Sequence, residues 1–148
     1  MDQKGLAVRT TIRIKGHLIK VIIDSKVSVS IIILPIVKQL KLQMSLADGS
    51  SIIAIDQAKK KVIGFVRGTP LVIADVKVLV DLMVINTSRA ALLVGTDWLK
   101  RYSADLLFSK KRLVFENRGQ KLSTLIKYNQ LIRSSNHKPK EYEINTAE

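Results

Sequence analysis

The carboxylate of Asp24 is the side chain in this sequence that is best placed to do chemistry. It follows an apolar run over residues 18–23 and precedes Ser25 and Lys26, after which apolar residues resume at every second position from Val27. A carboxylate where a buried strand breaks into a turn lies half inside the core, which is costly unless the protein uses the charge. The alternative is structural, because Asp-Ser after a strand is also common turn chemistry.

Other kinds of functional site are disfavoured by composition. The sequence has no cysteine, which excludes disulfides, thiolate metal sites and cysteine nucleophiles. The two histidines, His17 and His137, are far apart, so neither a zinc site nor a Ser/His triad is expected, and no metal or cofactor is predicted. The longest apolar run, residues 31–37, contains Pro35 and is too short for a membrane span. We therefore expect an intracellular protein with no membrane partner.

The chain is strongly basic, with a formal net charge of +13. Residues 100–140 carry eleven of the 25 Lys and Arg but only two of the 12 acids. No aromatic platform is interleaved with these cations, as single-strand binders require. We therefore favour a solvated basic face and tail, with nucleic acid contacted only non-specifically through the tail.

Periodicity and turn signals predict short strands with tight connections. Apolar residues make up 47% of the chain and aromatics only 5%, so the core is built from Ile, Val and Leu, which favour strands. Asp48-Gly49 predicts a two-residue hairpin, and residues 67–70 predict a turn. Short helices are predicted at 35–42 and 97–102, the latter capped by Thr96, and one further amphipathic helix from Leu122. The predicted strands are residues 8–14, 18–23, 27–33, 43–47, 51–55, 62–66, 71–73, 76–85, 91–94, 106–108 and 113–115. This pattern is typical of a small all-β barrel or sandwich.

The predicted strands, turns and helices, taken in this order with their sequence motifs, resemble those of retropepsin-like aspartic peptidases, especially the protease segment of gypsy-type retrotransposon polyproteins. The resemblance runs from about Val8 to Phe115 and implies an all-β fold, a small closed β-barrel with one or two short helices. It divides the chain into a retropepsin-like domain at 1–117 and a basic C-terminal extension at 118–148, partly helical or disordered. The matching segments are Val21-Ile22-Ile23-Asp24-Ser25, Ser28-Val29-Ser30-Ile31, Ala47-Asp48-Gly49-Ser50, Leu92-Leu93-Val94-Gly95-Thr96-Asp97-Trp98-Leu99 and Phe108-Ser109-Lys110-Lys111-Arg112-Leu113-Val114-Phe115.

The resemblance also implies roles for individual residues. One catalytic Asp per chain, Asp24, means that two copies must meet as a homodimer, so that a carboxylate pair acts on a polypeptide substrate. Ser25 resembles the hydroxyl residue that cross-braces the two active-site loops, and Gly95 resembles the glycine that lets the second apolar strand pack beneath them. The flap that closes over substrate is expected at Ala47, Asp48, Gly49 and Ser50.

Lys26 is the main departure, because it stands where the family has a glycine, and Val27 follows where a small residue is usual. A side chain there would crowd the two loops, and an ammonium near the dyad would favour ionised carboxylates.

Three hypotheses result. The first is an active aspartic endopeptidase that processes a retroelement polyprotein, in the cytoplasm or in a retroelement particle. The second is an inactive relict of the same fold serving as a dimerisation or scaffold module, and the third is a basic nucleic-acid-associated domain. The cations of the third are Arg112, Arg118, Lys121, Lys127 and the tail.

Overall fold

Twelve strands and two short helices follow one another in the part of the chain that the structure describes. The structure is a computed structural model, and residues 6–55, 58–87 and 91–130 are described. The helices are α1 (Leu34–Gln39), with Pro35 in its first turn, and α2 (Thr96–Arg101). The strands are β1 (Leu6–Ile14), β2 (His17–Ile23), β3 (Ile31–Ile33), β4 (Ser45–Leu46), β5 (Ile52–Ile55), β6 (Ala58–Ile73), β7 (Val76–Ile85), β8 (Leu92–Val94), β9 (Asp105–Leu107), β10 (Arg112–Asn117), β11 (Gln120–Leu125) and β12 (Lys127–Gln130).

Six of these strands close into a barrel. The ring runs β1, β2, β8, β3, β7, β6 and returns to β1 through the pairing of Arg13 with Val72. The pairings of β2 with β8 and of β3 with β7 are parallel, and the others in the ring are antiparallel. β9, β10 and β11 form a separate antiparallel sheet, in which the strands predicted at 106–108 and 113–115 pair as β9 and β10. The predicted closed β-barrel with short helices is therefore confirmed.

Aliphatic side chains fill the barrel, and three aromatic residues pack α2 against the separate sheet. Trp98 on α2 packs against Tyr102 and Phe115, with ring centroids 5.0 Å and 5.6 Å away. Burying one such aromatic side chain contributes roughly 2–3 kcal/mol. The deepest aliphatic side chains, at most 1% exposed, include Ile14, Ile19, Val21, Ile32, Leu71, Leu82, Val84 and Leu92. Among the described residues, no helix is long and apolar enough to cross a membrane.

Two predicted connections are wrong for the same reason, namely the length of β6. The strands on either side of Asp48-Gly49 do not pair with each other, because β4 and β5 each pair with β6. The predicted turn at 67–70 is an irregularity within β6, where the register with β7 shifts between Val66 and Thr69. Gly68 takes a φ of +61° there, and its N–H donates to the Asp81 carboxylate at 2.7 Å. A continuous 16-residue strand thus replaces the two short strands predicted at 62–66 and 71–73.

Three further sequence predictions are wrong in detail. The strand predicted at 27–33 is reduced to β3, and Thr96 does not cap α2, whose N-cap is Gly95 without a side-chain hydrogen bond. The helix predicted from Leu122 is replaced by β11 and β12, and β12 pairs with β1. Alternating partial exposure along β11 is the two-residue period of a strand. Residues 131–148, including the basic tail, lie outside the described residues.

Candidate active site

Asp24 lies immediately after β2 and is fixed by backbone hydrogen bonds on both sides. Its N–H donates to the Val94 carbonyl at 2.9 Å, which continues the parallel pairing of β2 with β8. The N–H of Lys26 donates to Asp24 Oδ1 at 2.9 Å and so orients the carboxylate. The residue is half-buried, as expected for an acid at the boundary between core and turn. The carboxylate is thus oriented but still accessible.

Ser25 and Lys26 form the exposed turn that follows this aspartate. Lys26 is not among the described residues with positive φ, so its backbone does not need a glycine conformation. The backbone of the single chain therefore accepts a side chain at this position. Crowding between two chains, and the role of Ser25 as a cross-brace, concern a second copy and stay predictions.

Gly95 is needed because there is no room for a side chain between β8 and the Asp24 loop. A Cβ at this position would lie 2.6 Å from the carbonyl oxygen of Val29 and would also clash with that of Val27. Both obstacles are backbone atoms, which cannot rotate away. The neighbouring N–H of Thr96 donates to the Val27 carbonyl at 2.8 Å, so β8 and the loop are in direct contact. The role that the resemblance implies for Gly95, beneath a pair of active-site loops, stays a prediction.

Ser30 and Asp97 connect the segment that follows Asp24 to α2 through hydrogen bonds. Neither residue was predicted to belong to the site. Ser30 Oγ donates to Asp97 Oδ1 at 2.7 Å, the Ser30 N–H donates to Asp97 Oδ2 at 3.0 Å, and the Gly95 N–H donates to Ser30 Oγ at 3.1 Å. Ser30 is fully buried, so its end of these bonds is shielded from water, whereas Asp97 is exposed. The sequence does contain a signal for this pair. Ser30 is a polar residue at the start of an apolar run, and Asp97 is an acid in the first turn of the second predicted helix.

The hairpin that lies over the loop is formed by β5 and β6. Ile52 pairs with Lys61, Ile53 with Lys60, Ala54 with Lys59 and Ile55 with Ala58; the turn itself, at 56–57, lies outside the described residues. We call this segment the flap hairpin. Its Ile55 shares an apolar cluster with Val27, three residues after the aspartate. We call that group the cleft cluster: Val27, Ile31, Ile55 and Ile85 are buried, and Val29, Ile53, Met83 and Leu93 are partly buried.

The four residues predicted as the flap occupy the loop before this hairpin. The Ala47 N–H donates to the Ile63 carbonyl at 2.9 Å, which extends the pairing of β4 with β6. Asp48 accepts hydrogen bonds from the hydroxyl and the N–H of Ser50, at 2.6 Å and 2.8 Å, and these bonds lower the pKa of the Asp48 carboxyl. Gly49 has a φ of +89°. These residues form a local turn, and the hairpin predicted on them is wrong.

A closed six-stranded barrel, with an oriented aspartate on the loop after its second strand and a hairpin above it, defines a retropepsin-like fold. The family model described as retroviral aspartyl protease matches residues 2–121, which is most of the chain. The chain therefore belongs to the retroviral aspartyl protease family.

Solved structures of low sequence identity share this fold. The retroviral protease-like domain of Ddi1 from Leishmania major matches with a TM-score of 0.66 and 18% identity, covering 87% of this chain and 97% of that domain. The EIAV protease in complex with the inhibitor HBY-793 matches with a TM-score of 0.54 and 14% identity, covering 72% of this chain and 95% of that one. No curated protein sequence matches the chain significantly.

Proposed function

We propose that this chain is an aspartic endopeptidase that acts as a homodimer, with Asp24 as the catalytic residue of each copy. The observation that carries the proposal is the half-buried carboxylate of Asp24, which accepts from the Lys26 N–H, while the backbone N–H of Asp24 donates to the Val94 carbonyl. A reacting group must be positioned to within a fraction of an ångström, and this loop offers little freedom. Membership of the family supports the same chemistry.

The mechanism needs two copies of the chain because each contributes one carboxylate. Two Asp24 side chains brought together across a two-fold axis would share one proton, since both cannot be ionised at such short distance. The ionised carboxylate then removes a proton from water, which attacks the peptide carbonyl, and the protonated carboxyl donates a hydrogen bond to the carbonyl oxygen. The flap hairpin would close over the bound peptide and exclude bulk water.

An inactive scaffold of the same fold is the second candidate function, and Lys26 is the observation that favours it. Its side chain is exposed two residues after the proposed catalytic Asp24. In a dimer, two ammonium groups close to the carboxylate pair would stabilise both carboxylates in their ionised form and oppose proton sharing. This alternative retains dimerisation and loses cleavage.

A cleavage assay on three proteins distinguishes the two candidates. The wild-type chain, Asp24→Asn and Lys26→Gly are incubated with a mixed peptide library between pH 4 and 7, and the products are identified by mass spectrometry. The endopeptidase proposal expects cleavage by the wild type and none by Asp24→Asn. Cleavage by Lys26→Gly alone would establish the scaffold alternative, and cleavage retained in Asp24→Asn would contradict the assignment of the catalytic residue.

We propose a biological setting for this activity from the resemblance of the sequence to retroelement proteases, and not from the geometry of the site. The substrate would be a retroelement polyprotein, processed inside the cell. The part of the basic surface that the structure describes includes exposed Lys121 and partly buried Arg112, which donates to Ser123 Oγ at 3.3 Å. Any contact of this surface with nucleic acid would be non-specific and would weaken steeply with salt.

A further inference from the structure

The three consecutive lysines of the flap hairpin do not share one environment. Lys59 and Lys61 are exposed, whereas Lys60 between them is partly buried. Successive side chains of a strand point to opposite faces, so Lys60 lies on one face and its two neighbours lie on the other. The same charge is therefore presented to two different sides of the hairpin.

The face that carries Lys60 is the one that covers the cleft cluster. Lys60 is directly opposite Ile53, and opposed residues of an antiparallel pair lie side by side on one face, with Cβ atoms about 5 Å apart. Ile53 and Ile55 of this face both belong to the cleft cluster. On the other face, Ile52 opposite Lys61 is 62% exposed. Lys60 thus extends from the same face of the flap hairpin as the apolar Ile53 and Ile55.

We propose that Lys60 is a specificity-determining residue, which binds a carboxylate side chain of the polypeptide substrate. This inference rests on the proposed function, because it concerns a peptide substrate bound beneath the flap hairpin. Lys60 is partly buried and lies beside apolar side chains, so a carboxylate bound next to it is screened by less water than one beside a fully exposed lysine. The described residues of the flap hairpin carry three lysines and no acid, and the one acid between its strands in the sequence is Asp56.

The geometry also fixes the spacing between the acidic residue and an apolar one. In an extended peptide, side chains two residues apart point to the same side and are about 6.6 Å from each other. The Cβ atoms of the opposed Lys60 and Ile53 are closer, about 5 Å apart, and the long lysine side chain can span the difference. The preferred substrate therefore has an aliphatic residue in contact with the cleft cluster and a Glu or Asp two positions away.

The test measures peptide binding without cleavage. Asp24→Asn protein is titrated into fluorescein-labelled decapeptide pools that carry a fixed Leu and, two positions away on either side, Glu, Gln or Lys. The read-out is fluorescence polarisation. We expect the Glu pools to bind about fivefold more tightly than the Gln pools, the size of a well-formed, partly exposed ion pair. Adding Lys60→Glu should reverse the preference in favour of the Lys pools.

Lys61→Glu is the matched control, because it makes the same charge change one residue away on the other face. It should leave the preference for Glu unchanged, and the fluorescence of Trp98 reports that each variant is folded. Equal binding of Glu and Gln pools, or equal effects of Lys60→Glu and Lys61→Glu, would overturn the role of Lys60 while leaving the proposed function intact. Failure of every pool to bind, together with no cleavage by the wild type, would overturn both.

Discussion

Gly95→Ala is expected to destabilise the protein by about 3 kcal/mol, at the upper end of the usual cost of overpacking a core. The added methyl group would lie 2.6 Å from the Val29 carbonyl oxygen and would clash with the Val27 carbonyl oxygen as well. Because both oxygens belong to the backbone, no side-chain rotation relieves the contact. Either β8 or the Asp24 loop has to move, and each is hydrogen-bonded to the other.

Urea unfolding followed by the fluorescence of Trp98 measures this cost. Trp98 is the only tryptophan and is 3% exposed, so its emission reports the loss of the native core. With a slope of about 2 kcal/mol per molar urea, a loss of 3 kcal/mol lowers the unfolding midpoint by about 1.5 M. Gly64→Ala is a useful control, since a Cβ there also meets a backbone oxygen, that of Ser45 on β4 rather than one of the Asp24 loop.

The two variants separate stability from the geometry of the site. Both should be destabilised, but under conditions where both remain folded only Gly95→Ala should impair peptide cleavage or binding. A midpoint within 0.3 M of the wild type, roughly 0.6 kcal/mol at the same slope, would refute the argument. It would mean that the loop moves aside at little cost and that the tight contact is not needed.

Three further substitutions test individual contacts. Ser30→Ala should cost about 2 kcal/mol in urea unfolding, because it removes a buried hydroxyl that bonds the Asp97 carboxylate; an unchanged midpoint would contradict this. Ser50→Ala should raise the pKa of Asp48 towards its ordinary value of 3.8, followed by NMR titration of the carboxyl carbon, and no change in pKa would contradict the assigned cause. That carboxyl is fully exposed, so we expect no measurable pH dependence of stability from it. Tyr102→Phe should cost about 1 kcal/mol in urea unfolding, through loss of the hydroxyl bonds to the main chain of β7 at 3.0 Å, and a cost near zero would show that water replaces them.

Elements whose hydrogen bonds are local could be predicted from the sequence. The hairpin of β1 and β2 has its turn at Lys15-Gly16, and the alternation along β7 matches its burial. The segment before β3 was wrongly predicted as strand, although it alternates equally well. Its polar groups bond distant residues, since the Val27 carbonyl accepts from Thr96 and the Ser30 N–H donates to Asp97, 67 positions away. Alternation alone contains no information about such partners.

The site was predicted in part, for a similar reason. Asp24 and Gly95 could be found because their segments resemble a family, and the structure gives each a physical role. A hairpin joining residues 43–47 to 51–55 was predicted because Asp48-Gly49 is a strong local turn signal. The long strand β6 provides pairing partners for both β4 and β5, and these tertiary pairings override the local preference.

Mixing wild-type chains with Asp24→Asn chains tests most directly whether one active site needs an aspartate from two copies. Equal amounts are combined, allowed to exchange subunits, and assayed for peptide cleavage at constant wild-type concentration. Random pairing leaves about half of the wild-type chains in wild-type dimers, so we predict that activity per wild-type chain falls to about half, and further as the variant is added in excess. Activity per wild-type chain that does not change, while the variant is shown to form dimers with it, would contradict the shared site.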